Sequence, residues 1–136
     1  MPVVVVGSLA FDTVHTPSGS ARDVLGGSAT FFSTAAAYFA PVRLVGVVGE
    51  DFPAEFRRQL AERRIDCAGL ETRPGRTFRW EGQYSDDMNS RETIRVELNA
   101  FGEFEPTLPA AYRDSDVVFL ANANPKTQAK LLDQVE

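Results

Sequence analysis

The sequence predicts an α/β protein: a parallel-rich central sheet with helices on it and a small antiparallel addition. Two observations carry the core of this expectation. The runs "PVVVVG" and "VRLVGVVG" are continuous, β-branched and closed by glycine, and helix-patterned segments alternate with them. A third carries the addition. In "TFRWEGQYSDDMNSRETIRVELNAF" apolar residues alternate with polar ones on either side of a turn-like centre. A strand buried on both faces reads as an unbroken apolar run, whereas a ribbon with one wet face alternates.

The elements follow in order. "PVVVVG" predicts a central parallel strand that Gly7 ends. "LAFDTVHT" and "ARDVL" flank "PSGS", whose Pro17 and Gly19 favour a turn, so a short hairpin is expected. Ser28 to Ala40 is alanine-rich and carries Phe31, Phe32, Tyr38 and Phe39. It predicts a helix lying on the sheet, with Ser28 in position to cap it. "VRLVGVVG" repeats the buried-strand pattern, and "PAEFRRQLAERR" predicts a helix started by Pro53, with Phe56 and Leu60 four residues apart on one face. Glu50 and Asp51 are placed to cap and orient that helix. "CAGLETRPG" predicts a further strand closed by a Pro-Gly turn. The ribbon comes next, with Phe78, Trp80, Ile94, Val96 and Leu98 on its apolar side and Tyr84 a further candidate for it. "DSDVVFLANAN" predicts another buried strand and "PKTQAKLLDQVE" another helix. No internal repeat, low-complexity tract or linker interrupts the 136 residues, and the default is one domain. The last βα unit lacks a closing strand after Glu136, so the architecture reads as unfinished there.

Composition narrows the partners. The chain is 43% hydrophobic and 24% charged, which suits a globular protein with one core. Its formal net charge is −5 and the charges are mixed along the chain, so no basic face is expected for nucleic acid. Cys67 and His15 are the only residues of their kinds, which excludes a disulfide framework and a Cys/His zinc site. "MPVVVVGSLAFD" has no basic n-region and its apolar run is too short for a signal peptide or a membrane span. A cytoplasmic protein with no membrane partner is expected.

Several residues are candidates for chemistry. Asp12 stands just past the first strand, where ligands of open parallel sheets bind, and a carboxylate there can accept hydrogen bonds from the hydroxyls of a polyol. Taken alone it reads first as a turn or capping aspartate. Gly26 and Gly27 precede the first helix, where glycine allows close approach to backbone N–H groups, or serves only a turn. "GSLAFD" lacks the G-x-G-x-x-G of a dinucleotide fold, and no Walker lysine motif occurs. Asp86, Asp87, Asp114 and Asp116 read as residues of solvated turns, so no metal ligands are assigned.

Together "GSLAFDTV", "LGGSATFFSTAAAYFAPVRLVGVVGEDF", the aromatic ribbon and "FLANANP" resemble the amino-terminal half of the ribokinase-like (PfkB) carbohydrate kinase family, over essentially the whole chain. Gly26 to Phe52 is similar to that family's first signature: a GG pair, a small-residue helix, a strand, and a G-[DE]-D turn at Gly49, Glu50 and Asp51. The resemblance implies a three-layer ribokinase-like core with a small antiparallel β lid, incomplete at the C-terminus. Residues 1–136 would form a partial kinase domain, with lid segments at about 11–25 and 77–104.

It also implies function. The chain would be the substrate-binding half of an ATP-dependent sugar kinase that transfers the γ-phosphate to a sugar hydroxyl. A nucleoside kinase of the same family, or a non-catalytic module that dimerises through its lid, are the alternatives. Asp12, Gly26 and Gly27 would hold substrate hydroxyls, and Asn99 and Asn122 fall where family members place polar residues near the cleft, or are simply turn asparagines. Many sugar kinases carry an asparagine near the place of Phe31, a departure that leaves the substrate open. The family's second signature, a D-T-x-G-A-G-D-like stretch with the catalytic base, has no counterpart here. The catalytic residues are therefore expected beyond Glu136, and this chain alone is expected to be inactive. ATP and Mg2+ would serve the complete enzyme, a sugar or polyol would be its small-molecule partner, and a homodimer could form through the lid.

Overall fold

Four strands pair side by side, because each can satisfy its backbone only beside another. In the computed structural model, which describes residues 1–136, β1 (Val3–Val6), β4 (Val42–Gly49), β5 (Ile65–Arg73) and β8 (Val117–Leu120) form one all-parallel sheet in the order β5-β4-β1-β8. Val4, Val5 and Val6 are wholly buried at its centre. Alternate residues of these strands feed two separate cores, one per face. Val5, Leu44, Val48 and Leu70 pack with Leu60 on one side; Val4, Val6, Val45 and Val47 pack with Phe104, Leu108, Tyr112 and Leu131 on the other. Helices α1 (Ser28–Ala36) and α2 (Ala54–Glu62) thus cover the first face and α3 (Pro125–Leu132) the second. This is the expected three-layer arrangement.

The second sheet consists of β2 (Ala10–Thr16), β3 (Gly19–Gly26), β6 (Phe78–Tyr84) and β7 (Arg91–Glu97), in the order β3-β2-β6-β7. Its two hairpins are antiparallel, as expected, but they meet through a parallel pair, β2 with β6. The reason lies in the connections. Both strands leave the carboxyl edge of the core sheet, β2 after β1 through residues 7–9 and β6 after β5 through residues 74–77, so they run the same way. The lid is therefore rooted at that edge by two crossings.

Four expectations need correction. Helix α1 ends at Ala36, four residues early, and residues 37–40 continue as turns. Of its aromatic residues Phe32 stacks on Phe119 at 3.4 Å between ring centroids, while Phe31, Tyr38 and Phe39 point to solvent. Ser28 does not cap α1: Gly27 is the N-cap residue, and the cap comes from Ser8, whose Oγ accepts from the Ser28 amide and whose carbonyl accepts from Ala29. Finally, β8 is an edge strand and only partly buried, because it pairs with β1 alone.

Candidate functional site

The site is built where the hairpin β2–β3 returns to the core. Asp12 on β2 lies opposite Val24 on β3 and Trp80 on β6, and Trp80 lies opposite Val96 on β7. Residues in register share a face. One row across the lid thus reads Val24, Asp12, Trp80, Val96, and the neighbouring row contains Gly26, Ala10 and Phe78. Sequence position alone could not have put these residues together.

Gly26 and Gly27 belong here, for different reasons. A Cβ on Gly26 would stand 2.0 Å from Asp12 Oδ2, so the missing side chain is the space that the carboxylate occupies. Gly27 has φ 96 and ψ 148, and a Cβ there would meet Ser8 O at 2.4 Å. Only glycine tolerates that conformation readily. Burial pushes the Asp12 carboxyl above its ordinary value, and the nearby Gly27 amide partly offsets the rise. A carboxylate drawn out of water and held beside one backbone donor has acceptor capacity left for hydroxyl groups.

Beside this row opens a cleft of about 400 Å3. Phe78, Trp80, Val96 and Leu98 wall it from the lid, Phe101 and Phe104 close its base, and Asn122, Ala123 and Asn124 form the rim at the carboxyl end of β8. Phe78 stacks on Phe101 at 5.4 Å. Phe78 and Trp80 were legible as lid residues; the cleft they wall with the β8–α3 loop was not.

The two asparagines separate. Asn122 is exposed on the rim of the aromatic cleft. Asn99 opens a 3-10 turn, Asn99–Glu103, in the left-handed region (φ 50), and its Nδ2 donates to the Thr77 carbonyl at 3.0 Å. It lines a different, polar hollow with Arg73, Arg76 and Glu103. The structure thus brings Asp12, Gly26 and Gly27 together, puts Asn122 across the neighbouring cleft, and uses Asn99 to fasten the β5–β6 connection. Asn124 went unassigned, although the Asn-Pro pair advertises it: its Oδ1 accepts from the Lys126 amide and caps α3.

Asp51 corrects a further expectation. The N-cap position of α2 is occupied by Pro53, without side-chain capping. Asp51 turns instead to the lid, where Oδ1 accepts from the amide and the hydroxyl of Thr77, both at 2.7 Å, and Oδ2 accepts from Arg79 at 3.2 Å. Burial alone would raise its carboxyl, but these donors outweigh it and hold the group below its ordinary value.

Elsewhere Asp87 closes the β6–β7 turn with Ser85 and Asn89, which bring its carboxyl down to about 2, and Asp114 receives Arg43. Both act as turn or surface residues. The Cys67 thiol is half-buried and burial pushes it up, away from the reactive range. No group of three or more His, Cys, Asp or Glu converges on one point, and no helix is long and apolar enough to cross a membrane.

Comparison with known proteins agrees with this architecture. No family model matches the chain. It is 30% identical over 138 residues to a cytidine kinase of Thermococcus kodakarensis, an alignment covering 100% of this chain and 49% of that protein. The chain therefore spans about half the length of the curated relative it matches. Among solved structures, the nucleoside kinase of Methanocaldococcus jannaschii, described as an archaeal member of the ribokinase family, superimposes with a TM-score of 0.74 at 20% identity. That match covers 98% of this chain and 48% of the other. Ribokinase from Giardia lamblia gives 0.77 at 19% identity, over 98% and 49% of the two chains. The fold is ribokinase-like, and the relatives are kinases.

Proposed function

We propose that this chain is the substrate-binding half of an ATP-dependent kinase of the ribokinase-like family, and that its substrate is a nucleoside. The single observation behind the substrate class is the aromatic cleft next to Asp12. The hydroxyls around a plain sugar call chiefly for polar partners, whereas a wall of Phe78, Trp80, Phe101 and Phe104 suits the faces of a flat base. The identity to a cytidine kinase supports the same choice over a simple sugar.

In this reading the ribose sits at the lid row. Its hydroxyls donate to the Asp12 carboxylate, Gly26 leaves room for that carboxylate, and Gly27 allows the close approach of the chain to Ser8 and Leu9 in the β1–β2 connection. Asn122 on the rim offers an amide to the polar edge of the base. Such residues bind and orient, which is most of what a phosphoryl-transfer enzyme asks of its protein. ATP supplies the phosphoryl group when bound. The acidic residues of this chain do not gather into a Mg2+ set, so they do not fit that ion by themselves and no step is assigned to it. The base that activates the accepting hydroxyl and the phosphate-binding helix start are assigned to sequence outside this chain.

Calorimetric titration of the chain with cytidine, a purine nucleoside and ribose tests the reading. Stacking of a base on an aromatic wall contributes about 1–3 kcal/mol, so each nucleoside should bind roughly five- to hundredfold more tightly than ribose. Equal affinity for ribose would return the chain to the sugar-kinase alternative.

A further inference from the structure

The face of the lid opposite the site is fastened to the core by one connected set of side chains. At its centre is Arg79 on β6. Its two terminal nitrogens reach different elements, Nη2 to Asp51 in the β4–α2 turn of the core and Nη1 to Asp23 on β3 of the lid. The guanidinium lies over the Phe11 ring of β2, 4.6 Å from its centroid, and Phe11 in turn stacks on Phe52 of the core at 6.1 Å. Arg79 is only 19% exposed and Asp51 28%. Such a pair is screened less than a surface bridge.

The second attachment is Thr77, which is wholly buried. Its amide and hydroxyl donate to Asp51, and its hydroxyl oxygen accepts from the Gly49 amide at 3.0 Å. The loop closes because Gly49 has no side chain: a Cβ there would lie 2.3 Å from the Gly75 carbonyl. Asp23 reaches Arg79 from a left-handed residue (φ 49), at a register shift opposite the Asp12–Val14 stretch of β2. An aspartate held in that sparsely populated conformation keeps its carboxylate aimed at the guanidinium.

Alternation turns this attachment into a positioning device. Phe11 is the neighbour of Asp12 on β2, Arg79 stands between Phe78 and Trp80 on β6, and Asp23 precedes Val24 on β3. On β2 and β6 the residue that reaches toward the core is next to a residue that faces the site, because successive side chains point to opposite faces, while Asp23 holds Arg79 from within the lid. We infer that Asp51 and Arg79 are positioning residues: they lock the lid to the carboxyl edge of the core so that Asp12 and Trp80 meet a substrate at fixed places. The part of this inference that concerns substrate rests on the nucleoside reading above; the lock itself does not.

Segment-resolved hydrogen exchange on the full chain, combined with nucleoside titration followed by the fluorescence of Trp80, the only tryptophan, tests it. In Asp51→Asn and in Arg79→Met, amides of β2, β3, β6 and β7 should exchange roughly ten- to hundredfold faster, the range expected when a charge-assisted hydrogen bond is lost, with β1 and β4 unchanged. Nucleoside affinity should fall by a similar factor. Arg79→Lys, which keeps the charge but not the two-ended fork, should restore little. The double variant Asp51→Asn/Arg79→Met should exchange faster than either single one but by less than the two losses combined, since both remove the Asp51–Arg79 contact while each also loses partners of its own. Unchanged lid exchange, an equal rise in the core strands, or additive losses would overturn the lock. If the unaltered chain binds no nucleoside, the proposed function fails, and the exchange pattern still decides whether Asp51 and Arg79 lock the lid.

Discussion

Replacing each glycine of the Gly26-Gly27 pair by alanine should produce opposite phenotypes, because the two are glycine for different reasons. At Gly27 the backbone is at φ 96 and ψ 148, and the new Cβ meets main chain, Ser8 O at 2.4 Å and Leu9 Cα at 2.8 Å. The conformation costs about 1–3 kcal/mol, and forcing atoms into a packed backbone adds about as much. Neither obstacle can rotate away. A loss of about 2–6 kcal/mol lowers the melting temperature of a chain this size by roughly 6–24 °C. At Gly26 the obstacle is the Asp12 carboxylate, 2.0 Å from the new Cβ, and a short side chain can turn to another rotamer for about 0.5–1.5 kcal/mol. Gly26→Ala should therefore melt within a few degrees of the unaltered chain, by roughly the same scale. It should lose about 1.5–3 kcal/mol of nucleoside binding, the worth of hydrogen bonds to a charged group that has moved away. Circular-dichroism melting beside calorimetric titration reads both numbers. Equal melting temperatures for the two variants would refute the geometric argument, and unchanged affinity in Gly26→Ala would remove Asp12 from the binding site.

Three further outcomes are expected. The Asp12 carboxyl is raised above its ordinary 3.8 in the folded chain, so its ionisation costs stability as pH climbs from there through the raised value; Asp12→Asn should match the unaltered chain in acid, melt higher at neutral pH, and bind nucleoside more weakly. Melting curves across that interval check the sign, and a variant less stable at neutral pH contradicts it. Ile94, Val96 and Leu98 leave about half of their surface in water along one side of the lid, so the chain should self-associate there, and Val96→Glu should abolish it; light scattering during gel filtration at several concentrations decides. In an ATP-consumption assay with cytidine, a purine nucleoside and ribose, the purified chain should show no substrate-dependent turnover, since its residues bind and orient but include no assigned base; measurable turnover would place the catalytic group within these residues.

Most secondary structure was legible because its signals are local. The β-branched runs, the Pro-Ser-Gly turn and the Pro53 and Pro125 helix starts act within a few residues, and the strands and helices they announce are present. Where local reading erred, tertiary partners had displaced a local one. Ser28 is a good cap by type, yet Gly27 holds the N-cap position and Ser8, in the β1–β2 connection, supplies the acceptors. Asp51 is well placed to cap α2, yet two donors from Thr77 and one from Arg79 outcompete a helix end. Phe31 lies on the solvent side of α1, and Tyr38 and Phe39 fall beyond the end of the helix, in turns that carry them into solvent.

The sequence by itself determined the alternation of buried strands and helices, the existence of a ribbon with one apolar side, and Asp12, Gly26 and Gly27 as residues worth watching. Only the tertiary structure decided that β2 and β6 lie parallel, which puts Trp80 beside Asp12 and joins two hairpins into one lid. Only it separated Asn99 from Asn122, and only it showed Arg79 gripping residues 28 and 56 positions away. The physical reason is range. Periodicity, turn chemistry and capping act over one turn or one pleat and are written in adjacent residues. Register between distant strands depends on which crossings leave the same edge of the core, and that becomes visible only when the whole chain is packed.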